Sequence, residues 1–162
     1  VRFVHECFRG MQPGIPLTAL HGKIKQDRRT VIYMDFLRRK FSCLFATDVA
    51  ARGLDFPDVD WVIQVDAPED SAMYIHRVGR TARYKSGGRA LLMVMPSEEK
   101  LVSAELEEAG VPIKRLSMNP NKSVSVASRA AALLISNPDC RSLAKKYFTS
   151  YLKSVQLLAR NK

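Results

Sequence analysis

The chain reads as an α/β protein built on a parallel sheet with helices on both faces. Three observations carry that expectation. FSCLFAT (41–47), WVIQVD (61–66) and ALLMVM (90–95) are near-continuous apolar runs without alternation, as expected of strands covered on both sides. Segments of helical periodicity fall between and around them, and strands alternating with helices make βα units. Finally, 46% hydrophobic and 26% charged residues over 162 positions suit one globular domain with a sizeable core and a small appendage.

Taken in order, VRFVHECF places Val4 and Phe8 four apart, which suits the end of a helix that MQPG at 11–14 breaks. IPLTAL (15–20) has strand length and runs into HG. From Gln26 to Lys40 the pairs Ile32/Tyr33 and Phe36/Leu37 mark one apolar stripe of a helix with a basic remainder. PEDSAMYIHRV opens a helix with Asp70 or Ser71 as N-cap, and Ser97 caps EEKLVSAELEEA, which Gly110 ends. VPIKRL (111–116) supplies one more short strand. Beyond Leu116 the pattern predicts two helices, the second capped by Asn137 with Pro138 at its first position. Its apolar stripe runs through Ala144, Phe148, Tyr151, Val155 and Leu158.

Charge is uneven. The net charge is +10, yet residues 1–116 hold 18 Lys/Arg against 15 Asp/Glu, while 117–162 hold 8 against 1. Polyanions are plausible partners of such a tail, although a basic run is often only a solvated face. No apolar run reaches the roughly 18 residues of a membrane span, and the start shows no secretory pattern. Cys7, Cys43 and Cys140 form no metal-ligand spacing, so no metal site is expected and reduced thiols of the cytosol or nucleus are.

In sheets of this kind ligands collect outside the carboxyl ends of the strands. The segments there are HGKIKQ, TDVAARGLD and the helix YIHRVGRTAR. The last holds Arg77, Arg80 and Arg83 at i, i+3 and i+6, an arrangement that like-charge repulsion disfavours in isolation. Phosphoryl transfer gives it a use. Charge spreads over the γ-phosphoryl oxygens in the transition state, and guanidinium groups match those oxygens bidentately without losing a proton.

HRVGRTAR (76–83) resembles motif VI of the DEAD-box RNA helicases. LHGKIKQDRR (20–29) is similar to that family's HG plus QxxR element, and FATDVAARGLDFPDVDWVIQVDAP (45–68) to motif V and the segment after it. The ordered set covers about residues 1–116. The resemblance implies a C-terminal RecA-like domain (1–116), with the N-terminal strand of motif IV missing, followed by a basic helical C-terminal extension (117–162). Ala82 departs from the commoner HRxGRxGR pattern and is expected to leave both phosphate-contacting arginines in place.

The resemblance also assigns roles. Arg80 is the arginine finger and Arg83 the second γ-phosphate contact, acting on ATP held by another RecA-like domain. Asp55 contacts the ATP ribose. Thr47, Arg29 and the backbone near Gly53 grip RNA phosphates, and Gln26, Asp48, Arg52, His76 and Arg77 support the motifs. Blander readings stand beside these: Asp55 as a turn former, His76 as a structural histidine, and Arg77 as the inward partner of an acidic residue, which is the preferred one. No GxxxxGK[ST] loop and no DEAD tetrapeptide occur, so ATP and Mg²⁺ are expected on the absent N-terminal RecA-like domain, and the isolated chain is expected to be inactive.

Within the family the sequence looks closest to nucleolar members acting in ribosome biogenesis, and FTSYLKSVQLL resembles the start of the extension carried by the Dbp-four type. The implied partners are the N-terminal RecA-like domain of the same protein, the backbone of single-stranded RNA from pre-rRNA or snoRNA duplexes, and pre-ribosomal proteins, in the nucleolus. Two alternatives are a weakly hydrolysing scaffold module of a pre-ribosomal particle and a DNA helicase of the same superfamily.

Overall fold

A computed structural model describes residues 1–48, 56, 59–81 and 87–160. The chain divides into two compact units, one formed by 1–54 with 123–162 and the other by 55–122.

The first unit begins with α1 (Arg2–Met11), which ends where Gln12 turns left-handed (φ 51°) ahead of Pro13. Strand β1 (Leu17–Leu20) leads through the HG turn into α2 (Gln26–Arg38), and β2 (Cys43–Ala46) pairs parallel with β1 in the register Leu17↔Cys43 to Leu20↔Ala46. Both α1 and α2 pack on β1, and Leu20 is fully buried. The unit is completed by α5 (Ala127–Ser136) and α6 (Pro138–Arg160), which return to α1. Asn137 caps α6 by accepting the Cys140 N–H at 3.0 Å, and the Arg141 guanidinium closes α5 by donating to the carbonyls of Leu134 and Ile135 at 2.8 and 2.7 Å. Gly10 lets α5 approach closely, because a Cβ there would lie 2.7 Å from a Leu133 methyl.

The inward face of α6 is rotated from the expected stripe. Cys140 (buried, 3.9 Å from Cys7 Sγ) and Tyr147 (5.3 Å from the Phe3 ring) face α1 one heptad apart, and Tyr151 stacks on Tyr147. Phe148 and Val155 are therefore left outside, 62% and 44% exposed. The Leu158 side chain lies outside the described set. All three cysteines are free, and burial together with the neighbouring Cys140 thiol pushes Cys7 up to about 11.

The second unit holds β3 (Trp61–Gln64), α3 (Ser71–Val78), β4 (Arg89–Leu92), α4 (Pro96–Glu108) and a 3₁₀ turn at Pro120–Lys122. Strands β3 and β4 pair parallel, Trp61↔Arg89 to Gln64↔Leu92, with the Arg89 guanidinium 5.4 Å from the Trp61 ring centre. The core is Ala67, Tyr74, Val102 and Leu106, flanked by Val78, Leu92, Val94 and Val111.

Helix α4 starts one residue before the expected Ser97 cap. Pro96 occupies the first position, where its missing N–H costs nothing, and the Glu98 carboxylate reaches back to the Met95 N–H at 3.0 Å. The helix ends in a Schellman turn: Gly110 at φ 71° donates to Glu107 O, and Val111 donates to Leu106 O, both at 2.9 Å.

Among the described residues the strands pair as two parallel ladders, β1 with β2 in the first unit and β3 with β4 in the second. One expectation is corrected. VPIKRL is not a strand, because Pro112 offers no ladder N–H and Pro112–Leu116 is exposed, leaving Ile113 and Leu116 without a buried face.

Candidate nucleotide and RNA interface

In the second unit the sequence places α3 directly after β3. Asp70 caps the helix, its carboxylate accepting the Met73 N–H at 2.6 Å, while Glu105 from α4 accepts the Ser71 N–H at 2.7 Å. Two carboxylates at an N-terminus complement the helix dipole and fix where the helix begins. Tyr74 and Val78, four apart, face the core. That phase leaves His76 exposed and sets Arg77 and Arg80 half-buried on the flanks.

The repulsion that the sequence raises is answered by separate acceptors. Arg77 Nη1 donates to Gln64 Oε1 at 3.0 Å, and Arg80 Nη2 lies 2.8 Å from His76 Nε2, one helical turn away. A guanidinium can only donate, so this contact requires His76 Nε2 to be an unprotonated acceptor. Gln64 is 4% exposed at the carboxyl end of β3, and its Nε2 has no hydrogen-bond partner among the described residues. Sequence reading missed Gln64, and the polar residue in WVIQVD, an otherwise apolar run, was the available signal.

The end of the arginine helix is pinned as well. Gly79 N, Arg80 N and Thr81 N donate back to Ile75, Arg77 and Val78 at 2.8, 3.2 and 2.9 Å. Gly79 is placed where a Cβ would come within 3.2 Å of the Ile75 carbonyl oxygen. From the other side, Val59 N donates to Arg80 O at 3.1 Å, and the hydroxyl of Thr81, 4% exposed, donates to Val59 O.

In the first unit Arg29 shapes the HG turn. Its Nε donates to Ile24 O at 2.9 Å, its Nη2 to Gly22 O at 3.0 Å and its Nη1 to Gln26 Oε1 at 3.4 Å, which brings Gln26 and Arg29 together as their spacing suggests. Thr47, just past β2, donates its N–H to Leu20 O at 3.1 Å, and its buried hydroxyl has no partner among the described residues. Asp48 follows, half-buried. Beside this turn, burial first and then the charges of Arg2, Lys23 and Arg29 hold the His21 imidazole below its ordinary pKa. A field that disfavours a cation on His21 favours an anion. Arg52, Gly53, Asp55 and Arg83 lie outside the described residues. Among the described residues no group of three or more His, Cys, Asp or Glu is placed to hold a metal ion.

Parallel strands with an HG turn just beyond the carboxyl end of β1 and an arginine-bearing helix, α3, after β3, followed by a helical extension, define a RecA-like helicase domain. The same fold is found in solved structures, among them Mss116p DEAD-box helicase domain 2 bound to an RNA duplex, at TM-score 0.70 and 29% identity over 98% of this chain and 62% of that one. Another is the C-terminal domain of the DEAD-box protein Dbp5, at TM-score 0.56 and 30% identity over 64% and 61%.

The chain belongs to the helicase conserved C-terminal domain family, whose pattern matches residues 1–85. Similar curated proteins include "ATP-dependent RNA helicase DBP4" of Coccidioides immitis, 54% identical over 97% of this chain and 20% of the relative. They also include "Probable ATP-dependent RNA helicase DDX10" of Gallus gallus (49%, over 98% and 18%) and "DEAD-box ATP-dependent RNA helicase 32" of Arabidopsis thaliana (53%, over 96% and 21%). The chain thus spans about a fifth of the length of these relatives.

Proposed function

We propose that this chain is the C-terminal half of the motor of an ATP-dependent RNA helicase. It supplies Arg80 and Arg83 to the γ-phosphate and Asp55 to the ribose of an ATP whose Mg²⁺ is held by an N-terminal RecA-like domain. The residues here fit that division, because they offer arginines for phosphate oxygens. Arg29, Thr47 and the backbone near Gly53 hold the RNA backbone, so affinity falls as salt rises. ATP and RNA close the two domains together, and hydrolysis reopens them. The names of the DBP4 and DDX10 relatives support an RNA substrate, and the basic extension supports a role on pre-rRNA in nucleolar ribosome biogenesis, with pre-ribosomal proteins as neighbours.

The observation that carries this reading is the Arg80 guanidinium at the end of α3, resting on the exposed imidazole of His76. An incoming phosphoryl oxygen offers it a charged acceptor in place of a neutral one, so the exchange is favourable. The test is RNA-stimulated ATPase of the full-length protein and its Arg80→Ala form; equal turnover removes the enzyme hypothesis. A second reading, a scaffold that binds without hydrolysing, draws support from the exposed Phe148, Leu152 and Val155 on α6. It predicts particle association that survives Arg80→Ala.

A further inference from the structure

We propose that Thr81 is a positioning residue for Arg80, acting through the backbone of Val59. This inference rests on the hydrolytic reading above and adds a residue to which neither the motif assignments nor the family match gives a role.

An arginine that stabilises a transition state contributes through placement, because a displacement of about 1 Å costs up to about 100-fold in rate. The Arg80 side chain is long, and at its tip the exposed His76 ring is a partner that any phosphate can displace. Its accuracy therefore depends in part on how firmly its Cα is held. The helix alone holds it poorly: α3 ends at Val78, and residue 80 sits in the turn beyond, its N–H bonded to Arg77 O at 3.2 Å. Helix ends fray when their groups lack outside partners.

Val59 supplies those partners. Its N–H holds the Arg80 carbonyl at 3.1 Å, and its carbonyl accepts the Thr81 hydroxyl, so one residue grips both sides of the peptide unit that follows Arg80. Thr81 is 4% exposed, and the low local dielectric around a buried hydroxyl strengthens its bond and makes its loss costly. Val59 lies two residues before β3, which pairs with β4, so the grip ties the arginine turn to the sheet through a short piece of chain. Gln64, at the other end of β3, does the same for Arg77. The arginine segment is thus fixed at two points to the two ends of one strand.

The hydroxyl contacts neither substrate nor the reacting atoms, so its removal lowers the rate of the chemical step and leaves ground-state binding intact. In the full-length protein, Thr81→Val is expected to lower kcat of RNA-stimulated ATP hydrolysis about tenfold, with KM for ATP unchanged within about twofold. Affinity for ADP–aluminium fluoride falls in parallel with kcat, whereas affinity for ADP–beryllium fluoride does not. Thr81→Ser keeps the hydroxyl and restores most of the rate.

Rates are measured at 15 °C per nucleotide-competent molecule, titrated with a fluorescent ADP, so loss of folded protein does not imitate loss of positioning. Three outcomes overturn the assignment in a protein whose wild type is active: valine turnover equal to wild type, a serine form as slow as valine, or a valine form with no competent molecules, which would assign the hydroxyl to folding. A wild-type protein without RNA-stimulated hydrolysis would instead remove the reading on which the assignment rests.

Discussion

Arg29 and Arg80 are both proposed to meet phosphates, yet the protein holds them in opposite ways. Arg29 donates to the carbonyls of Gly22 and Ile24 and to the Gln26 amide, all within its own turn, so its guanidinium is part of that turn's backbone bonding. Arg80 rests its tip on the exposed ring of His76, while its main chain is gripped by Val59. In the first region the side chain stabilises the loop, and in the second the loop holds still for the side chain. A group that acts on a developing charge must be able to change partners, and one that sets a binding surface must not.

The sharpest way to break this comparison is to delete each arginine and read both chemistry and local order. Arg80→Ala in the full-length protein should reduce RNA-stimulated kcat by about a thousandfold, the scale of an arginine finger, with amide exchange in 71–81 little changed. If turnover survives, Arg80 is a helix-end residue and nothing more.

Arg29→Ala should do the reverse, loosening the 21–29 turn by about 2 kcal/mol through the loss of charge-assisted bonds, which raises exchange of those amides by at least about tenfold. RNA affinity falls with it because the turn no longer presents its backbone. Lysine should not rescue, since a point ammonium cannot span the Gly22 and Ile24 carbonyls as a fork does. Hydrogen exchange by mass spectrometry decides this; an unchanged 21–29 segment in Arg29→Ala would return Arg29 to a purely RNA-facing role.

A smaller effect belongs to His76. Removing its ring takes one acceptor from the tip of Arg80 without touching the Val59 grip, so His76→Ala should slow turnover by only about threefold to tenfold, less than loss of the arginine itself. Glutamine can still offer an acceptor oxygen, and His76→Gln should run near the wild-type rate. A glutamine form as slow as alanine would show that the imidazole does more than hold Arg80.

These contrasts also mark what sequence alone could reveal. The strands at 43–46 and 61–64, the Asp70 and Asn137 caps and the Gly110 stop were legible because each is set by neighbours within a few positions. The pairing of Gln26 with Arg29 was legible for the same reason. Contacts that close over longer spans were not. Arg77 meets Gln64 across 13 residues, and Thr81 meets Val59 across 22, and nothing in local periodicity announces either. VPIKRL fails in the other direction: it has strand composition but pairs with no strand among the described residues, and Pro112 removes a donor it would need. On α6 the period was right and the phase only partly so: Ala144 and Tyr151 are half-buried as expected, whereas Cys140 and Tyr147, packed on α1, take the places expected of Phe148 and Val155.

The smallest effect tests the electrostatic side of the comparison. His21 borders the Arg29 turn, and burial together with Arg2, Lys23 and Arg29 hold its folded pKa below the ordinary 6.5. In the window between the folded and unfolded midpoints the unfolded chain binds more protons, so stability rises with pH there. The contribution is whole above 6.5 and is lost as pH falls through 6.5 toward the folded midpoint. The ring-proton NMR titration, assigned by the signal missing in His21→Asn, should therefore show a midpoint below 6.5. Arg29→Ala should move it upward by removing the repulsion of one nearby cation. Bound RNA should also raise it, since phosphates offset the same positive field, and by linkage RNA then binds more tightly as pH falls. A midpoint at or above 6.5 in the free protein would mean that the turn around Arg29 is not the positively charged surface that a phosphate backbone requires.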